Sequence, residues 1–563
     1  MIHLRGGEVS VVLDTRRTGL PVVLHWGADL GAEPIGLLAS TEPVTAHSAL
    51  DEARPAGLLP EYAHGFAGRP GLTVARAGDS SWSSRLVTVS TATDGRDAVV
   101  VAADDDLGLT VRTELHLEPG GLLRMRHTVT NTGSDELDVR ELLTALPVPE
   151  VATELLDLSG RWCRERSPQR RPLHQGAVVR ESRRGRTGHD ASPLMVTGTE
   201  GFGFGHGELW AVHVAWSGDH VTYAERLSEG HTLLGGGELL GQREVVLAAQ
   251  ESYSSPWLLA SWSADGLDTA SARLHHWLRA RATHPTRPRT VLVNTWAAVY
   301  FDHDLQALTE LAGLAAEVGA ERFVFDDGWF RGRRDDHRGL GDWTVDEEVW
   351  PEGLHPLVDH VRSLGMDFGL WVEPEMVNVD SDVVRGHPAW VLRGRETLPQ
   401  PWRRQQVLDL ANPSAYAHVR DALLALLREY DIAYLKWDHN RDLVDAGHGG
   451  RPAVHGQTLA VYRQLDELRA AHRAWRSRAV PPAVPASTPR SCSAPTGSGP
   501  ATETTRWSGR RSSAGPRCWC PRSSWAATSP RPPRTRPGAP TRWTSGPPRR
   551  CSGTSASSGT CRR

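Results

Sequence analysis

The sequence predicts a multidomain chain of the β and α/β classes: an N-terminal β-sandwich, then a partial (β/α)8 barrel, then a low-complexity tail. Three observations support this prediction. Short alternating runs fill residues 1–284, strand and helix patterns alternate across residues 285–472, and residues 473–563 are rich in Arg, Pro and Ser. At 563 residues the chain is long enough for two or more separately packed cores.

Runs that alternate apolar and polar residues dominate residues 1–284. Examples are VSVVLD at 9–14, AVVVAADD at 98–105 and LTVRTELHLE at 109–118, with turn residues between them. This period of two, with little helical periodicity, favours an antiparallel β-sandwich. The segment from 255 to 285 is predicted to be a helix that closes the sandwich.

From Thr290 onward the pattern changes to strand, helix, strand. The predicted strands are VLVNTW at 291–296, RFVFDDGW at 322–329, DFGLWVEPEM at 367–376 and IAYLKWD at 432–438. Four consecutive β/α units with apolar strands indicate a parallel barrel, which is incomplete over residues 285–472. No glycine fingerprint follows the first strand, so a dinucleotide-binding sheet is not favoured.

Each predicted barrel strand ends in tryptophan or charged residues. These residues are Trp296, Asp326, Asp327, Trp329, Trp371, Glu373, Glu375, Lys436, Trp437 and Asp438. Side chains at the carboxyl ends of barrel strands usually carry the chemistry, and tryptophan faces beside carboxylate acceptors suit a sugar ring. The pattern therefore predicts a sugar pocket. An ordinary salt bridge between Lys436 and Asp438 is the structural alternative.

Composition narrows the class of protein. Carboxylates also bind hard cations, but Lys436 beside Asp438 opposes a cation and the His spacing does not fit zinc, so we expect no metal and no cofactor. The first residues, MIHLRGGEVS, show no secretory pattern, no run approaches a membrane span, and Cys163 is the only cysteine before residue 473. We expect a cytoplasmic protein with no membrane partner and no nucleic-acid partner.

Six segments in order resemble the α-galactosidases of glycoside hydrolase family 36. They are NTWAAVYFDHD, FDDGWF, LGDW, GLWVEPEMVN, RRQQVLDL and LKWDHNRD, and the resemblance runs from the sandwich to about His472. It implies a retaining hydrolase that removes terminal α-galactosyl residues from oligosaccharides such as raffinose or melibiose, with one nucleophilic and one acid/base carboxylate. It also implies a homo-oligomer, as in intact relatives.

The resemblance assigns roles residue by residue. By its position in KWDHNRD, Asp438 is implied to be the nucleophile, and Lys436 nearby would keep it ionised. The carboxylates of DDGW would accept galactose hydroxyls, the tryptophans would line the pocket, and Lys436 would donate to a hydroxyl. Arg403 is a looser match, because RR replaces a single Arg of the family. The implied substrate-binding residues are Trp296, Asp326, Asp327, Trp371, Arg403 and Lys436.

The resemblance stops after His472. Residues 473–563 contain 17 Arg, no Lys, one acidic residue, and no Leu, Ile, Phe or Tyr, so they cannot form a core and are expected to be disordered. Back-translated and read one base upstream, RAWRSRA allows PGLEIES, VPPAVPASTP allows CSSGGARVD, and TGSGPATETTRWSGR allows DRVWPSDRNDPLER. Those are the motifs that the family has at this place. We therefore hypothesise a frameshift just after His472, in the gene or in its sequencing.

On this hypothesis the acid/base aspartate lies across the codons of Ala501 and Thr502 and is absent from the chain as written. We expect an α-galactosidase by lineage whose activity is impaired, because loss of a general acid typically lowers the rate by about 10² to 10⁴-fold. Two alternatives stay open. One is a non-catalytic galactoside-binding remnant, and the other is a nucleic-acid-binding protein that uses the basic tail.

Overall fold

The computed structural model describes residues 1–31, 35–38, 56–76, 82–285 and 288–472. All of these residues belong to one compact unit. The predictions of a disordered tail and of a frameshift concern residues 473–563, which lie outside the described residues. Sheets come first along the described chain, and β/α units follow.

Antiparallel strands are the main secondary structure among the described residues up to 263. They are β1 (Ile2–Gly6), β2 (Val9–Asp14), β3 (Val22–Ala28), β4 (Leu72–Arg76), β5 (Val87–Asp94), β6 (Asp97–Asp104), β7 (Leu109–Leu117), β8 (Leu123–Asn131), β9 (Leu137–Leu142) and β10 (Thr144–Pro147). They continue with β11 (Glu154–Arg161), β12 (Arg164–Pro172), β13 (Gly176–Ser182), β14 (Leu194–Gly198), β15 (Leu209–Val214), β16 (His220–Arg226), β17 (Thr232–Glu238), β18 (Val245–Leu247), β19 (Ser252–Ser254) and β20 (Leu258–Ser263). The helical pieces here are α1 (Ile35–Leu38), the 3-10 turn Tyr62–His64, and α2 (Leu267–Ala280), which follows β20.

Within the described residues these strands form four sheets. The largest has the order β12-β11-β14-β15-β20-β8-β7-β6-β5, with β19 paired to β8, and the others are β10-β17-β16-β13, β18-β9-β4 and β1-β2-β3. Buried residues alternate with less buried ones along β7 and β8, so each strand turns one face to the core. The prediction of a sheet-rich N-terminal sandwich is confirmed.

The segment from 255 to 285 corrects one sequence prediction. A single helix was predicted, but its first part is β20, in which every residue is buried, and only α2 is helical. A short apolar run fits a fully buried strand as well as a buried helix, so periodicity alone did not separate the two. Gly266, with a φ of 83°, makes the turn between them.

Four parallel strands form the sheet of the second part. They are β21 (Leu292–Asn294), β22 (Arg322–Phe325), β23 (Asp367–Val372) and β26 (Tyr434–Trp437), and they are neighbours in that order. The helices are α3 (Trp296–Val299), α4 (Leu305–Glu317), α5 (His355–Ser363), α6 (Asp382–Gly386), α7 (Pro413–Glu429) and α8 (Val454–Ala471), with the 3-10 turn Pro388–Trp390. Two small antiparallel pairs complete this part: β24 (Met376–Asn378) with β25 (Gln405–Val407), and β27 (Gly447–His448) with β28 (Arg451–Pro452). The predicted run of four β/α units is confirmed.

Local sequence explains where the first barrel elements begin and end. Helix α4 begins where the Asp304 side chain accepts the backbone N–H of Ala307 at 2.8 Å, and Asn412 caps α7 in the same way. Trp296 was predicted to end the first strand, but it begins α3. The strand ends at Asn294, whose side-chain oxygen accepts the Trp296 N–H at 3.0 Å and turns the chain.

Helix α8 joins the barrel part to the sandwich through a polar cluster. The His455 ring on α8 stacks on Trp216 with centroids 5.8 Å apart, and its Nδ1 lies 2.9 Å from Glu238 Oε1 on β17. Tyr253 donates its hydroxyl to the same carboxylate at 2.7 Å. The buried charge of Glu238 is therefore satisfied from both parts of the chain, and this fixes α8 on the sandwich.

Two groups, Asp219 and His455, are expected to contribute stability to the folded chain that is lost as pH rises. Burial raises the pKa of Asp219 to about 7. Burial alone would lower the pKa of His455, but Glu238 raises it. Both groups hold a proton more tightly in the folded than in the unfolded chain, so their contribution to stability is present at low pH and is lost as pH rises through the folded pKa.

Replacing Asp219 with Asn is therefore expected to flatten the pH dependence of stability between the ordinary pKa of 3.8 and about 7. The amide oxygen can still accept the Gly185 N–H, now 2.6 Å from Oδ1. Urea-unfolding midpoints across this pH range give the measurement. Asp265→Asn, at an exposed site, serves as the control and should keep the slope of the unmodified protein. An unchanged slope in Asp219→Asn would contradict the prediction.

Within the part of the chain that the structure describes, no helix combines the length and apolar character that crossing a bilayer requires.

Candidate active site

The carboxyl ends of the four parallel strands bring polar side chains to one edge. β21 ends at Asn294, Asp326 and Asp327 follow β22, Glu373 follows β23, and Asp438 follows β26. Adjacent strands are paired in parallel register, so these ends lie side by side. The four acidic residues are buried and Asn294 is half-buried. The edge is therefore a concentrated set of carboxylates with little access to water.

Asp438 is held by three hydrogen-bond donors. Trp371 Nε1 donates to Oδ2 at 3.1 Å and Asn440 Nδ2 donates to the same oxygen at 2.9 Å, while the His439 N–H donates to Oδ1 at 3.0 Å. The residue is only 6% exposed. The hydrogen bonds to both oxygens fix the orientation of the carboxylate. A carboxylate held in one orientation is suited to act as a nucleophile.

Lys436 forms its ion pair with Asp326. Its Nζ donates to Asp326 Oδ2 at 2.7 Å, and Asn294 Nδ2 donates to the same oxygen. Burial alone would lower the pKa of Lys436, but Asp326 and then Asp438 raise it. Lys436 is therefore a cation, and Asp438 lies within its electrostatic range. The sequence left open a salt bridge between Lys436 and Asp438. Among the described contacts, the ion pair of Lys436 is with Asp326 instead.

Asp327 is bound by a buried guanidinium. Arg333 donates to both of its oxygens, from Nε at 2.9 Å and from Nη2 at 2.8 Å, and its Nη1 donates to Asn378 at 2.9 Å. Burial raises the pKa of Asp327, and the nearby Arg333 opposes this rise. The bidentate geometry fixes the carboxylate. Arg333 was not predicted from the sequence, because no motif distinguishes it from the neighbouring Arg334.

Replacing Arg333 with Leu is expected to lower the free energy of unfolding by about 3–5 kcal/mol, because it leaves the Asp327 carboxylate buried without its partner. The midpoint of urea unfolding measures the loss. Arg331→Leu is the matched control, since Arg331 is exposed and lies 3.8 Å from the exposed Glu347; we expect a change within about 0.5 kcal/mol. Equal midpoints for the two variants would refute the assigned role of Arg333.

The two predicted pocket tryptophans differ in their surroundings. Trp371 is buried and contacts the Asp438 carboxylate through its indole N–H. Trp296 is half-buried beside Asn294, and its ring packs edge-on against Tyr300, with centroids 5.2 Å apart. Trp371 therefore lies at the predicted nucleophile, and Trp296 follows the end of β21 at the other side of the sheet. Their roles in covering a sugar ring stay predictions.

The Arg403 side chain is exposed, unlike the buried carboxylates of the strand ends. Both Arg403 and Arg404 have left-handed backbone, with φ of 49° and 60°. None of the hydrogen bonds or ion pairs described for residues 288–472 involves the Arg403 side chain. No hydrogen bond or ion pair of the described residues joins Arg403 to Asp438, and its part in substrate binding stays a prediction.

A loop of the sandwich reaches the segment after Asp438. Arg186 donates to the His439 carbonyl at 2.8 Å and to Asp442 at 3.0 Å, and Arg184 pairs with the same carboxylate. The Leu443 N–H donates to the Arg184 carbonyl at 2.8 Å. The N-terminal part therefore supports the loop that carries the predicted nucleophile. The Arg content of this loop did not identify its target, because the contact joins residues more than 250 positions apart.

Among the residues that the structure describes, no group of three or more His, Cys, Asp and Glu side chains is arranged to hold a metal ion.

Comparison with known families divides the chain in two. The profile described as the glycosyl hydrolase family 36 N-terminal domain matches residues 19–248, and the one described as melibiase matches residues 252–479. An alpha-galactosidase of Escherichia coli is 40% identical over 449 residues, which are 79% of this chain and 63% of that protein. Alpha-galactosidase AgaA of Geobacillus stearothermophilus is 32% identical over 380 residues, 66% of this chain and 52% of that protein.

Solved structures of family 36 alpha-galactosidases are also similar to this chain. A variant of the family 36 alpha-galactosidase AgaA from Geobacillus stearothermophilus in complex with raffinose superposes with a TM-score of 0.77 and 28% identity, over 84% of this chain and 71% of that chain. A variant of the same enzyme in complex with 1-deoxygalactonojirimycin gives a TM-score of 0.78 and 27% identity, over 84% and 70% of the two chains. This chain spans between about half and two thirds of the length of the two curated relatives above.

Proposed function

Because the chain belongs to glycoside hydrolase family 36, we propose that it is a retaining α-galactosidase in which Asp438 is the nucleophile. The observation that supports this most directly is the set of three donors on the Asp438 carboxylate. Its oxygens are held in one orientation at the end of a parallel strand, within electrostatic range of Lys436. Lys436 itself pairs with Asp326.

The proposed reaction has two steps. In the first, an Asp438 oxygen forms a bond to the anomeric carbon, the glycosidic bond breaks, and the leaving oxygen departs with the electron pair and takes up a proton. In the second, water hydrolyses the galactosyl ester and regenerates the carboxylate. A second carboxyl group about 5–5.5 Å from the nucleophile gives the proton and later takes one from water.

We place that acid/base outside the chain as written, across the codons of Ala501 and Thr502. A sugar leaving group is strongly basic and needs its proton, so hydrolysis of raffinose-type oligosaccharides is the step that suffers. A fluoride or a nitrophenolate leaves without protonation, so formation of the galactosyl ester from such substrates depends on Asp438 alone. The raffinose bound to a structurally similar relative supports oligosaccharides of that type as substrates.

Trapping the ester tests the proposal. An α-galactosyl fluoride with a second fluorine on its ring transfers its sugar to the nucleophile, as the anomeric C–F bond breaks and fluoride leaves with the electron pair. The second fluorine slows hydrolysis of the ester. Trypsin cleaves after Lys436 and Arg441, so mass spectrometry should find one added fluorogalactosyl group on the peptide 437–441. A label on another carboxylate, with this peptide unmodified, would overturn the assignment of Asp438.

Other predictions about the whole protein stay predictions: a cytoplasmic location, a homo-oligomeric state, and the alternatives of a galactoside-binding remnant or of nucleic-acid binding through the basic tail. The trapping experiment distinguishes the proposed hydrolase from a galactoside-binding remnant, because a remnant that only binds galactosides forms no ester.

A further inference from the structure

Glu373 is a fully buried carboxyl group next to the predicted nucleophile. It has no exposed surface, and it follows β23 directly. Its Oε1 accepts the backbone N–H of Asn440, and its Oε2 lies 2.9 Å from Gln405 Nε2. The Asn440 side chain donates to Asp438 Oδ2 at 2.9 Å. Gln405, Glu373, Asn440 and Asp438 therefore form one continuous chain of contacts.

The charges around Glu373 disfavour its ionised form. Burial and the charge of Asp438 raise the pKa of Glu373 to about 8, and Asp327 acts in the same direction. The nearby cations form ion pairs with other carboxylates: Lys436 pairs with Asp326, and Arg333 pairs with Asp327. In the described contacts, Glu373 is bonded only to uncharged donors.

The Arg and His side chains on the adjoining segments also contact groups other than Glu373. Arg441 donates to the backbone carbonyl of Gln405 at 2.5 Å, and His439 lies 3.2 Å from Glu375. None of these contacts supplies a positive charge to Glu373 itself. A carboxylate buried without a cation is strongly unfavourable, so the neutral acid is the form that this environment accommodates.

The Gln405 side chain offers a place for the proton. Its Oε1 is buried and has no hydrogen-bond partner. The two ends of an amide can be exchanged by rotating it, and the choice between them depends on the surrounding hydrogen bonds. After that rotation Oε1 takes the place of Nε2 and accepts a hydrogen bond from a protonated Glu373. The exchange leaves the number of unpaired amide atoms unchanged.

We propose that Glu373 is an uncharged carboxylic acid in the resting protein and that it positions Asp438 through Asn440, a role that rests on the proposed function of Asp438 as nucleophile. Uncharged Glu373 leaves Asp438 as the single anion of the connected pair. When the galactosyl ester forms, Asp438 loses its charge, and ionisation of Glu373 becomes easier. Glu373 is a positioning residue here, since it touches Asn440 and not the reacting carbon.

Infrared difference spectroscopy between the unmodified protein and Glu373→Gln tests the protonation state. At pH 7 the spectrum is expected to show the carbonyl stretch of a protonated acid, and this band should fade around pH 8, where Glu373 titrates. Asp219→Asn provides a second difference spectrum. Burial raises the pKa of Asp219 to about 7, so its carbonyl band has to be distinguished from that of Glu373. A band of an ionised carboxylate at pH 7 in the Glu373 difference spectrum would overturn the proposal.

Binding of a galactose-configured iminosugar, measured by calorimetry at pH 7, tests the positioning role. Glu373→Gln keeps an acceptor for the Asn440 N–H and should bind within about threefold of the unmodified protein. Glu373→Leu loses that acceptor and should bind at least about tenfold more weakly, a change of about 1.4 kcal/mol. If Glu373 acted as an anion, Gln and Leu would both remove that charge and both would weaken binding. Tight binding by the Gln variant alone therefore indicates that the hydrogen-bond acceptor, and not a charge, matters.

The outcomes of the calorimetry separate the two proposals. If the unmodified protein binds no iminosugar, or if Asp438→Asn binds as tightly as the unmodified protein, the proposed function of Asp438 is wrong. If Asp438→Asn weakens binding and Glu373→Gln weakens it as much as Glu373→Leu, only the inference about Glu373 is wrong. Circular dichroism of each variant shows whether it has folded.

Discussion

Replacement of Asp438 with Asn is expected to remove the turnover of activated aryl α-galactosides, with a fall in rate on the order of 10⁴-fold or more. An amide does not attack the anomeric carbon, and the neighbouring carboxylates Asp326 and Asp327 are paired with Lys436 and Arg333. The Asn side chain keeps an oxygen that can accept the Trp371 indole N–H, so the site should stay assembled.

A nitrophenyl α-galactoside gives the measurement, because its first turnover releases a coloured phenolate without help from an acid. Asp445→Asn is the control. It lies on the same loop, is more exposed, and has its ion-pair contact with Arg395. The control should release phenolate at the rate of the unmodified protein. A full first turnover in Asp438→Asn would show that another group attacks the sugar.

The strand-end rule predicted most of the site because it depends on short-range sequence alone. A buried parallel strand is a run of apolar residues, and the first polar residue after it must lie at the sheet edge. Asp326, Asp327 and Asp438 are found at such positions from a few neighbouring letters. The same rule covers Asn294, which ends β21, but an amide in a sequence is a weaker signal of a sugar site than the nearby Trp296.

Pairings across the sheet could not be predicted in the same way. Lys436 lies on β26 and Asp438, two residues later, follows that strand, so their sequence spacing indicated a mutual contact. The sheet places β23 between β22 and β26, and the long Lys436 side chain still reaches Asp326 at 2.7 Å. Partner choice on a strand edge depends on three-dimensional packing, so a sequence shows the residues and not their partners.

The supporting contacts were the least predictable part of the site. Gln405 contacts Glu373 from 32 positions away, and Arg186 contacts Asp442 from 256 positions away. Both contacts depend on how the loop of the sandwich and the β24–β25 pair pack against the barrel strands. Neither residue type is rare at surfaces, so composition did not distinguish them from ordinary polar residues.

Insertion of a single base at the end of codon 472 is expected to raise the hydrolysis of raffinose by about 10² to 10⁴-fold. In the restored frame the chain continues with the family motifs, and the aspartate read across the codons of Ala501 and Thr502 supplies the proton that a sugar leaving group needs. The described site up to His472 is unchanged by the insertion, so Asp438 keeps its role as the nucleophile.

The choice of substrate identifies the cause of the gain. Raffinose hydrolysis should rise much more than the first-turnover release of fluoride from an α-galactosyl fluoride, because fluoride leaves without a proton. As a control, replacing the newly encoded aspartate with Ala in the restored chain should remove the gain on raffinose and keep most of the first-turnover release of fluoride. Equal rates for the two reading frames on raffinose, together with a confirmed DNA sequence through codon 473, would show that the present frame is the coding one and that the proton comes from elsewhere.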